Sequence, residues 1–393
     1  MIIFLEVLLI VYFLYVVGYT LAFSLAGALW RPETPPDTPE SALFHVLIPA
    51  YKEDRVIEAS VKNILQQDYP ADRFRVHVIA DQMMPETIAA LRKHPIEVVE
   101  VSFAQSTKVK ALQAALERIP YGASLCMILD ADNRMDQQVL SLMNRSWQNG
   151  QKAIQGRRIA QNDNSKLAVL DGLSEILNNH IYRAGSNGLG LSSALIGSGM
   201  TFETDILRRH LAEMDAVGGF DRDLEVRLVK EGVSVQYLPE AIITDEKVSA
   251  QEQFATQRRR WIASQYQYLA RHFKAGIRGL LQGNFSLFNS AVLRNIQLPR
   301  LINLGLLTLS SLLAVVLGSD FLWVWLTLFS GMGLAMVLAV PIHFYNRQFF
   351  QALWALPATF VVMLALLFKL KGANKSFLHT DHGLKEEGKS HQE

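Results

Sequence analysis

Two aspartates one residue apart, Asp130 and Asp132, are the side chains of this sequence best suited to chemistry. They directly follow residues 125–129, an apolar run whose length is typical of a buried strand in a parallel sheet. Open α/β sheets bind ligands at the carboxyl ends of their strands, and paired carboxylates on one turn suit a divalent cation that also holds phosphates. The pair therefore predicts a metal and phosphate site, with a solvated acidic turn as the alternative.

Polar residues also lie at the end of a second predicted strand and at the beginning of a predicted helix. Asp81 ends a second apolar strand, where an acidic residue often accepts hydrogen bonds from a nucleoside; a helix cap or turn is the alternative role. Lys108 opens a predicted helix, and both lysines and helix N-termini favour anions such as a diphosphate. Considered alone, Lys108 is more simply a surface lysine.

Asp221 and Asp223 lie in the first turn of a predicted helix that follows a glycine pair, within residues 217–232. Carboxylates at this position are stabilised by the helix dipole, so capping is one interpretation. The other interpretation is that one of them is a general base that faces the site. Helical geometry alone does not choose between the two roles.

The segment QRRRW, residues 257–261, belongs to a predicted helix over 250–273 that is rich in aromatic residues. Consecutive helical residues point to different faces, so its three arginines cannot share one role. One would face a site while the others contact phosphates or lipid headgroups, and a membrane-surface helix is the alternative. Arg157 and Arg158 would either line an anionic cleft or form a solvated edge.

Alternating strand and helix patterns would position these residues. Short apolar runs predict strands, and amphipathic repeats predict helices between them. The alternation indicates an α/β fold with a doubly wound, mostly parallel sheet, whose strand ends share one edge. The predicted strands cover residues 45–51, 74–81, 96–102 and 125–129.

Composition narrows the class of protein. The 38 basic and 37 acidic side chains balance, which argues against a nucleic-acid partner, because such proteins usually carry a basic excess. The only cysteine, Cys126, lies within an apolar strand, so no intrachain disulfide forms. This fits a catalytic domain in a reducing compartment.

Several stretches are long and apolar enough to cross a membrane. Residues 2–29 contain one charge, Glu6, and no convincing cleavage site, which predicts an uncleaved anchor rather than a signal peptide. Three more apolar stretches follow residue 300. The predicted regions are an anchor (1–30), a Pro-rich linker (31–42), a catalytic domain (43–250), interfacial helices with QRRRW (251–300), two or three spans (301–370) and a polar tail (371–393).

The arginines near these stretches predict that the catalytic domain lies on the cytoplasmic side. Three full spans after residue 300 would then place the basic start of the tail outside. Either the last apolar stretch, 349–368, is re-entrant or interfacial because Pro357 interrupts it, or the tail is outside despite its charge. The sequence slightly favours a cytoplasmic tail.

Taken together, the motifs LIPAYKED, KVKAL, LDADN, FDRDLEVRLVKEG and QRRRW, with the strand that ends in Asp81, occur in one order. This combination resembles the membrane-bound family-2 glycosyltransferases, which include cellulose, chitin, hyaluronan and poly-N-acetylglucosamine synthases and ceramide glucosyltransferases. The resemblance covers residues 43–265 by motif and the flanking apolar stretches by architecture. It implies the GT-A fold, a Rossmann-like, mostly parallel α/β sheet domain. One transmembrane helix would precede this domain in the sequence, and amphipathic interface helices and further transmembrane helices would follow it.

The resemblance also implies roles for individual residues. Asp130 and Asp132 match the metal site for Mg²⁺ or Mn²⁺, and Asp130 also lies against the diphosphate. The other positions that match donor or acceptor contacts are Ala50, Tyr51, Glu53 and Asp81 for base and ribose, Lys108 near the nucleotide, Gly199 and Met200 beside the acceptor, and Gln257, Arg260 and Trp261 of the QxxRW motif.

The catalytic base departs from the family pattern, because the usual Glu-Asp pair is missing. Matching the D-L and R-L steps that follow places Asp221 at the base position, with Phe220 in place of the glutamate and Asp223 as the second choice. The second strand ends in Ala-Asp-Gln-Met rather than Asp-Asp-Gly-Ser, which leaves the bound nucleobase undefined.

The function implied is an inverting, metal-dependent glycosyltransferase at the cytoplasmic face of a membrane, in polysaccharide biosynthesis. Its partners would be a UDP- or GDP-sugar, a glycan or lipid acceptor and membrane lipids. The alternatives are transfer of a single sugar to a lipid, a transporter or scaffold, and a catalytically inactive nucleotide-sensing relative. A bacterial inner membrane is the expected location, and a homo-oligomer or partner subunits are compatible with the few spans.

Overall fold

The computed structural model describes residues 2–33, 36–247 and 251–370, and an eight-stranded mixed sheet forms its centre. The predicted polar tail, 371–393, lies outside the described residues. The strand order across the sheet is β3-β2-β1-β4-β7-β6-β8-β5. The strands are β1 (Phe44–Tyr51), β2 (Phe74–Asp81), β3 (Glu97–Val101), β4 (Leu125–Ile128), β5 (Arg134–Met135), β6 (Ala153–Ala160), β7 (Met200–Glu203) and β8 (Val235–Asp245).

The first four strands are parallel to one another and agree with the predicted ones to within two residues at each end. Their apolar runs are buried on both faces, as Leu47 and Ile48 of β1 illustrate with no exposed surface. Tyr51 of β1 pairs with Asp81 of β2, so these strands end side by side. The prediction of an α/β, mostly parallel sheet is confirmed.

The second half of the sheet reverses direction. β7 pairs antiparallel with both β4 and β6, while β6 and β8 are parallel and β5 is antiparallel at the edge. The reversal brings residues 196–199, which precede β7, directly onto the end of β4, where Gly199 N donates to Ile128 O at 2.8 Å. A loop therefore lies over the strand end that carries the two aspartates.

Helices cover the sheet and extend beyond it. Those packed around the sheet are α2 (Ile57–Ile64), α3 (Pro85–Leu91), α4 (Lys108–Leu116), α5 (Val139–Gln148), α6 (Lys166–Asn178), α7 (Gly185–Gly188), α8 (Thr204–Ala212) and α9 (Phe220–Lys230). The remaining helices are α1 (Ile2–Leu29), α10 (Gln251–Leu281), α11 (Phe285–Phe288), α12 (Arg294–Ile296), α13 (Arg300–Leu317), α14 (Leu322–Ala339), α15 (Arg347–Leu353) and α16 (Leu356–Leu367), with π-helical turns at Asn179–Ala184 and Asn289–Leu293 and a 3-10 turn at Ile342–Phe344.

Three helices of the described chain are long and apolar enough to cross a membrane, namely α1, α13 and α14. α1 packs against α14, where Phe13 and Trp325 meet edge to face with ring centroids 5.9 Å apart. Glu6, the one charge of α1, accepts hydrogen bonds from Ser319 and Trp325, which satisfies a carboxylate placed among apolar side chains.

The last predicted span is broken. α15 and α16 meet at a bend of 50°, so they form either one bent span or a re-entrant pair. Pro357 lies in the first turn of α16, where proline is tolerated because that position needs no intrahelical N–H bond. The break at residues 354–355 agrees with the expected interruption of this stretch.

α10 connects the sheet to the apolar helices. Its buried Phe254 and Ile262 pack in one cluster with Ile302 of α13 and Met363 of α16. At the other side, the Tyr268 hydroxyl donates to Gly218 O at 3.0 Å, just before α9. Residues of QRRRW therefore lie where the sheet and the apolar helices meet.

Candidate active site

One cavity of about 480 Å³ lies at the carboxyl ends of β1, β2 and β4 and is closed on its far side by helices. Its sheet end is formed by residues at strand ends, such as Tyr51, Asp81 and Asp130. Its helix end is formed by Glu175, Tyr182, Arg222, Arg294 and Arg300. The site residues expected from the sequence that line it are Ala50, Tyr51, Glu53, Asp81, Lys108, Asp130, Asp132, Asp221, Gln257, Arg260 and Trp261.

Asp81 is the last residue of β2 and is 3% exposed. Its Oδ1 is buried without a hydrogen-bond partner in the part of the chain that the structure describes. Burial raises the pKa of Asp81, although the nearby Ser106 hydroxyl and the charge of Lys52 oppose this change. A buried acceptor without a donor is costly, so this oxygen suits an N–H or O–H of a ligand in the cavity.

The two aspartates after β4 are held by a network of hydrogen bonds. Lys108 Nζ binds the Asp130 carboxylate and donates to Gly197 O at 2.7 Å. The backbone N of Asp130 donates to Ser198 Oγ at 2.9 Å, and that hydroxyl donates to Asn133 Oδ1. Asn133 Nδ2 donates in turn to Asp132 Oδ1 at 3.0 Å. Both carboxylates are therefore oriented before any ligand binds.

These carboxylates fit a small divalent cation that is shared with a phosphate ligand. Among the described residues, no group of three or more His, Cys, Asp or Glu side chains forms an all-protein metal cage. Mg²⁺ is commonly held by one or two carboxylates together with substrate phosphates, and two hard oxygen donors on one turn match that donor set. Asp130 and Asp132 would hold such an ion.

Asp221 lies in the first turn of α9 and lines the cavity beside Gly197, whose carbonyl accepts a hydrogen bond from Lys108. Gly197 has a left-handed φ of 84°, which favours glycine, and a Cβ there would lie at an ordinary contact distance of 3.8 Å from Asp221 Oδ2. Burial raises the pKa of Asp221, while the charges of Arg222 and Lys108 oppose the change. A carboxylate with a raised pKa is a better proton acceptor for a reacting hydroxyl.

Asp223, the second choice for the base, does not line the cavity. It has no exposed surface, and its carboxylate accepts hydrogen bonds from His272 Nε2 at 2.6 Å and Arg227 Nε at 3.2 Å. Burial raises its pKa, but the His272 bond and the charges of Arg227 and Arg271 outweigh burial, so the pKa of Asp223 is lowered. Asp223 joins α9 to α10, and its expected catalytic role is not supported.

Gly199 and Met200 also lie away from the cavity, contrary to expectation. Gly199 has a left-handed φ of 63°, and a Cβ there would lie 2.9 Å from Ile243 Cδ1, so packing of the sheet requires glycine. Met200 begins β7 with no exposed surface. The loop reaches the cavity earlier, at residues 194–197, because the chain turns into the sheet at Gly199.

The three arginines of QRRRW point in three directions, as expected for consecutive helical residues. Arg258 forms an ion pair with Asp171 and stacks on Trp261, with 4.7 Å between the guanidinium carbon and the ring centroid. Arg259 Nε donates to Lys369 O at 2.5 Å, near the end of α16. Burial lowers the pKa of Arg260, and the charge of Asp130 opposes this change, which places Arg260 in the field of the metal site.

A buried group of charges beside the helix end was not found by sequence reasoning. Glu175 accepts from Arg158 at 2.8 Å and from Arg183 at 3.2 Å. Asp245 binds Lys247 at 2.8 Å and Arg158 at 3.4 Å. Arg158 lines the cavity, as one of the two alternatives predicted, and Glu175 and Asp245 balance its charge there. These residues are far apart in sequence, so no local motif indicates them.

Comparison with known proteins identifies the class. Residues 39–264 match the family model described as Glycosyltransferase like family 2, and the chain belongs to that family. No curated protein matches the chain by sequence. The sheet, the loop over β4 and the cavity at the strand ends are those of a GT-A type glycosyltransferase domain.

Solved structures of glycosyltransferases are similar to this chain. The mannosyltransferase PcManGT from Pyrobaculum calidifontis, solved with GDP-Man and Mn²⁺, is 18% identical with a TM-score of 0.56, over 92% of this chain and 97% of that chain. S. aureus TarS 1–349 with UDP-GlcNAc is 15% identical over 74% of this chain and 92% of its own, with a TM-score of 0.40. Glucosyl-3-phosphoglycerate synthase from Mycobacterium tuberculosis is 14% identical over 57% and 78%, with a TM-score of 0.40.

Proposed function

We propose that this protein is an inverting glycosyltransferase of the membrane-bound QxxRW type, which moves a sugar from a nucleotide-sugar donor to a hydroxyl of a glycan or lipid-linked acceptor. The observation that carries the proposal is that one cavity joins the residues of the candidate site. It brings together Asp81, the aspartates after β4, Asp221 and the arginine-rich segment of α10, and it extends to Arg300 at the start of an apolar helix.

In this proposal the donor binds at the sheet end. The nucleoside donates a hydrogen bond to the unpartnered oxygen of Asp81, beside Tyr51. The diphosphate lies against Lys108 and Arg260, whose positive charges favour phosphate oxygens. Mg²⁺ or Mn²⁺, held by Asp130 and Asp132, would supply Lewis-acid stabilisation of the departing diphosphate. PcManGT was solved with Mn²⁺ and a GDP-sugar, which supports a metal-assisted nucleotide-sugar donor.

The transfer would be one displacement at the anomeric carbon. Asp221 accepts the proton of the acceptor hydroxyl as its oxygen forms a bond to that carbon. The bond from the carbon to the diphosphate breaks at the same time, and its electron pair leaves with the nucleoside diphosphate. Arg260 and Lys108 stabilise the negative charge that develops there. Trp261, 37% exposed and lining the cavity, offers an apolar face to the acceptor sugar.

The acceptor would be part of polysaccharide biosynthesis at the cytoplasmic face of a membrane, and a bacterial inner membrane is the proposed location. A second candidate is transfer of a single sugar to a lipid. It is favoured by the helix end of the cavity, which includes Pro299 and Arg300 at the start of α13 and Met363 of α16. Action as a homo-oligomer or with partner subunits is compatible with either candidate.

Transfer by the purified full chain in nanodiscs tests both candidates. A panel of UDP- and GDP-sugars, each with Mg²⁺ or Mn²⁺, is supplied with a membrane lipid extract, and the product is sized. We expect cation-dependent release of the nucleoside diphosphate from one donor. A long polymer supports a polysaccharide synthase, and a lipid that carries one sugar supports the second candidate. Nucleotide binding without turnover for any donor would contradict the proposal.

A further inference from the structure

The two ends of the cavity differ in charge. At the sheet end, carboxylates outnumber the cationic Lys108, as a metal site requires. At the helix end, Arg222, Arg294 and Arg300 line the cavity, and the carboxylate found there, Glu175, is bound to Arg158 and Arg183 instead. Arg294 Nη2 binds both oxygens of the Glu225 carboxylate at 2.8 Å. That carboxylate therefore balances one of the three arginines.

The other two arginines form no ion pair within the part of the chain that the structure describes, although Asp221 and Glu225 lie near enough to Arg222 to act on its charge. No carboxylate of the described residues lies within 4.0 Å of a guanidinium nitrogen of Arg222 or Arg300. Arg222 Nη1 donates to Asn295 Oδ1 at 2.8 Å, and Arg300 Nη2 donates to Asn178 Oδ1 at 2.8 Å. A guanidinium carries five N–H donors, so each of these amides satisfies a small part of its capacity. Both side chains keep donors for a ligand.

Two of the three arginines lie beside one aromatic ring. The guanidinium carbons of Arg300 and Arg294 lie 5.5 Å and 5.9 Å from the centroid of the Tyr182 ring. Arg294 is 7% exposed, and its Nη1 is buried without a hydrogen-bond partner in the described chain. Like charges held this close repel one another, and a bound anion would offset that repulsion. The group has the donor chemistry of a phosphate or carboxylate site.

The position of this group relates it to the acceptor. Arg222 directly follows Asp221, the proposed base, in the first turn of α9. Arg300 is the first residue of α13, one of the helices long enough to cross a membrane. A molecule held by both arginines would therefore extend from the reacting position to the start of an apolar helix. Lipid headgroups lie at that level of a membrane protein.

We propose that the helix end binds an anionic membrane lipid as acceptor, with the phosphate of its headgroup on Arg222 and Arg300 and a separate headgroup hydroxyl at Asp221. The inference rests on the proposed function and names the acceptor class of the same site. The hydroxyl, not the phosphate, is the nucleophile, so the lipid keeps its phosphate after the sugar is attached.

The experiment uses the full chain in nanodiscs of neutral phosphatidylcholine and a radiolabelled donor. The lipid extract is separated by anion exchange into acidic and neutral fractions, and each fraction is offered as acceptor. Phosphatidylglycerol and diacylglycerol form a matched pair of probes, because both carry a hydroxyl and only the first carries a phosphate. Free glycerol 3-phosphate tests a soluble source of the same chemistry. Arg300→Gln is compared with Arg278→Gln, which removes the same charge from an exposed position of α10 outside the cavity.

We expect label in the acidic fraction and transfer to phosphatidylglycerol over diacylglycerol. Arg300→Gln should raise the acceptor KM about tenfold, because a charge-assisted bond is lost, with kcat and the donor KM nearly unchanged. Arg300→Lys should restore part of the loss, and Arg278→Gln should behave as the parent protein.

Label confined to neutral lipids, or equal transfer to glycerol 3-phosphate and the lipid, overturns the inference. An equal loss of donor hydrolysis and transfer in Arg300→Gln also overturns it, because that result indicates a structural role. Donor hydrolysis, measured as nucleoside diphosphate release without acceptor, separates the two proposals. Absence of both donor hydrolysis and transfer to any fraction in the parent protein would contradict the glycosyltransferase assignment itself.

Discussion

The sheet end and the helix end of the cavity are built in different ways. Residues of the sheet end, such as Asp81 and Asp130, follow apolar strands directly, so the sheet alone brings them together. The helix end assembles Glu175, Arg222 and Arg300 from α6, α9 and α13. Binding residues at the edge of a sheet come from short segments next to the strands, whereas the binding residues of the helix end meet only after distant segments have packed together. We therefore expect the charged residues of the sheet end to affect mainly substrate binding and catalysis. Many charged residues of the helix end should also affect the stability of the fold.

The largest expected effect distinguishes two aspartates of one helix turn. Asp221→Asn should lower kcat about 10² to 10⁴-fold, because a general base is lost, while nucleotide binding remains. Asp223→Asn should leave kcat in the folded protein nearly intact and lower the melting temperature instead, because it weakens a buried bond to His272. Transfer rates and thermal unfolding of both variants provide the measurements. Full transfer by Asp221→Asn would refute its role as the base.

Glu175→Gln tests whether carboxylates at the helix end serve the fold. The side chain is buried and neutralises Arg158 and Arg183. Breaking such a group leaves uncompensated buried charge, so the free energy of unfolding should fall by about 3–5 kcal/mol. Denaturant unfolding in detergent measures this loss, with the exposed Glu240→Gln as the control. Equal free energies of unfolding for the two variants would contradict the expectation that carboxylates at the helix end stabilise the fold.

Asp130→Asn tests the opposite expectation for the sheet end. Changes beside a metal ligand already cost about 10 to 100-fold in metal affinity, so loss of a ligand should cost at least about a hundredfold. The folded state should tolerate the change, because the carboxylate is partly exposed and faces the cavity. Mn²⁺ titration of nucleotide binding gives the measurement, and the exposed Asp136→Asn is the matched control. Unchanged metal dependence would argue against a metal at this turn.

The smallest expected effect is electrostatic, and it concerns how the charge of Arg222 at the helix end of the cavity changes the pKa of Asp221. The positive charge of Arg222 opposes the burial that raises the pKa of Asp221. A base is active when deprotonated, so activity should fall as pH drops through the pKa of Asp221. Removing Arg222 raises that pKa further, so Arg222→Gln should move the acidic limb of the kcat/KM profile to higher pH. A profile that coincides with that of Arg278→Gln would show that the ends are electrostatically independent.

Sequence patterns predicted much of the sheet end and little of the helix end. The strands were found because apolar runs of that length are buried on both faces. Asp130 and Asp132 were found because they follow one of those strands, and Lys108 because it begins a predicted helix; the structure places all three on one cavity. Gly199 and Met200 do not line the cavity, because the residue at which the loop enters the sheet depends on contact with Ile243, which the local sequence does not indicate.

The parallel strands, the acidic turn after β4, the apolar helices and the family resemblance follow from the sequence, because each depends on residues close together in the chain. Which aspartate of α9 faces the cavity depends on packing between helices, since His272 and Arg227 bind Asp223 and leave Asp221 to line it. The same packing brings Arg294 and Arg300 beside Tyr182. Such positions follow from packing between distant segments, which local patterns do not encode.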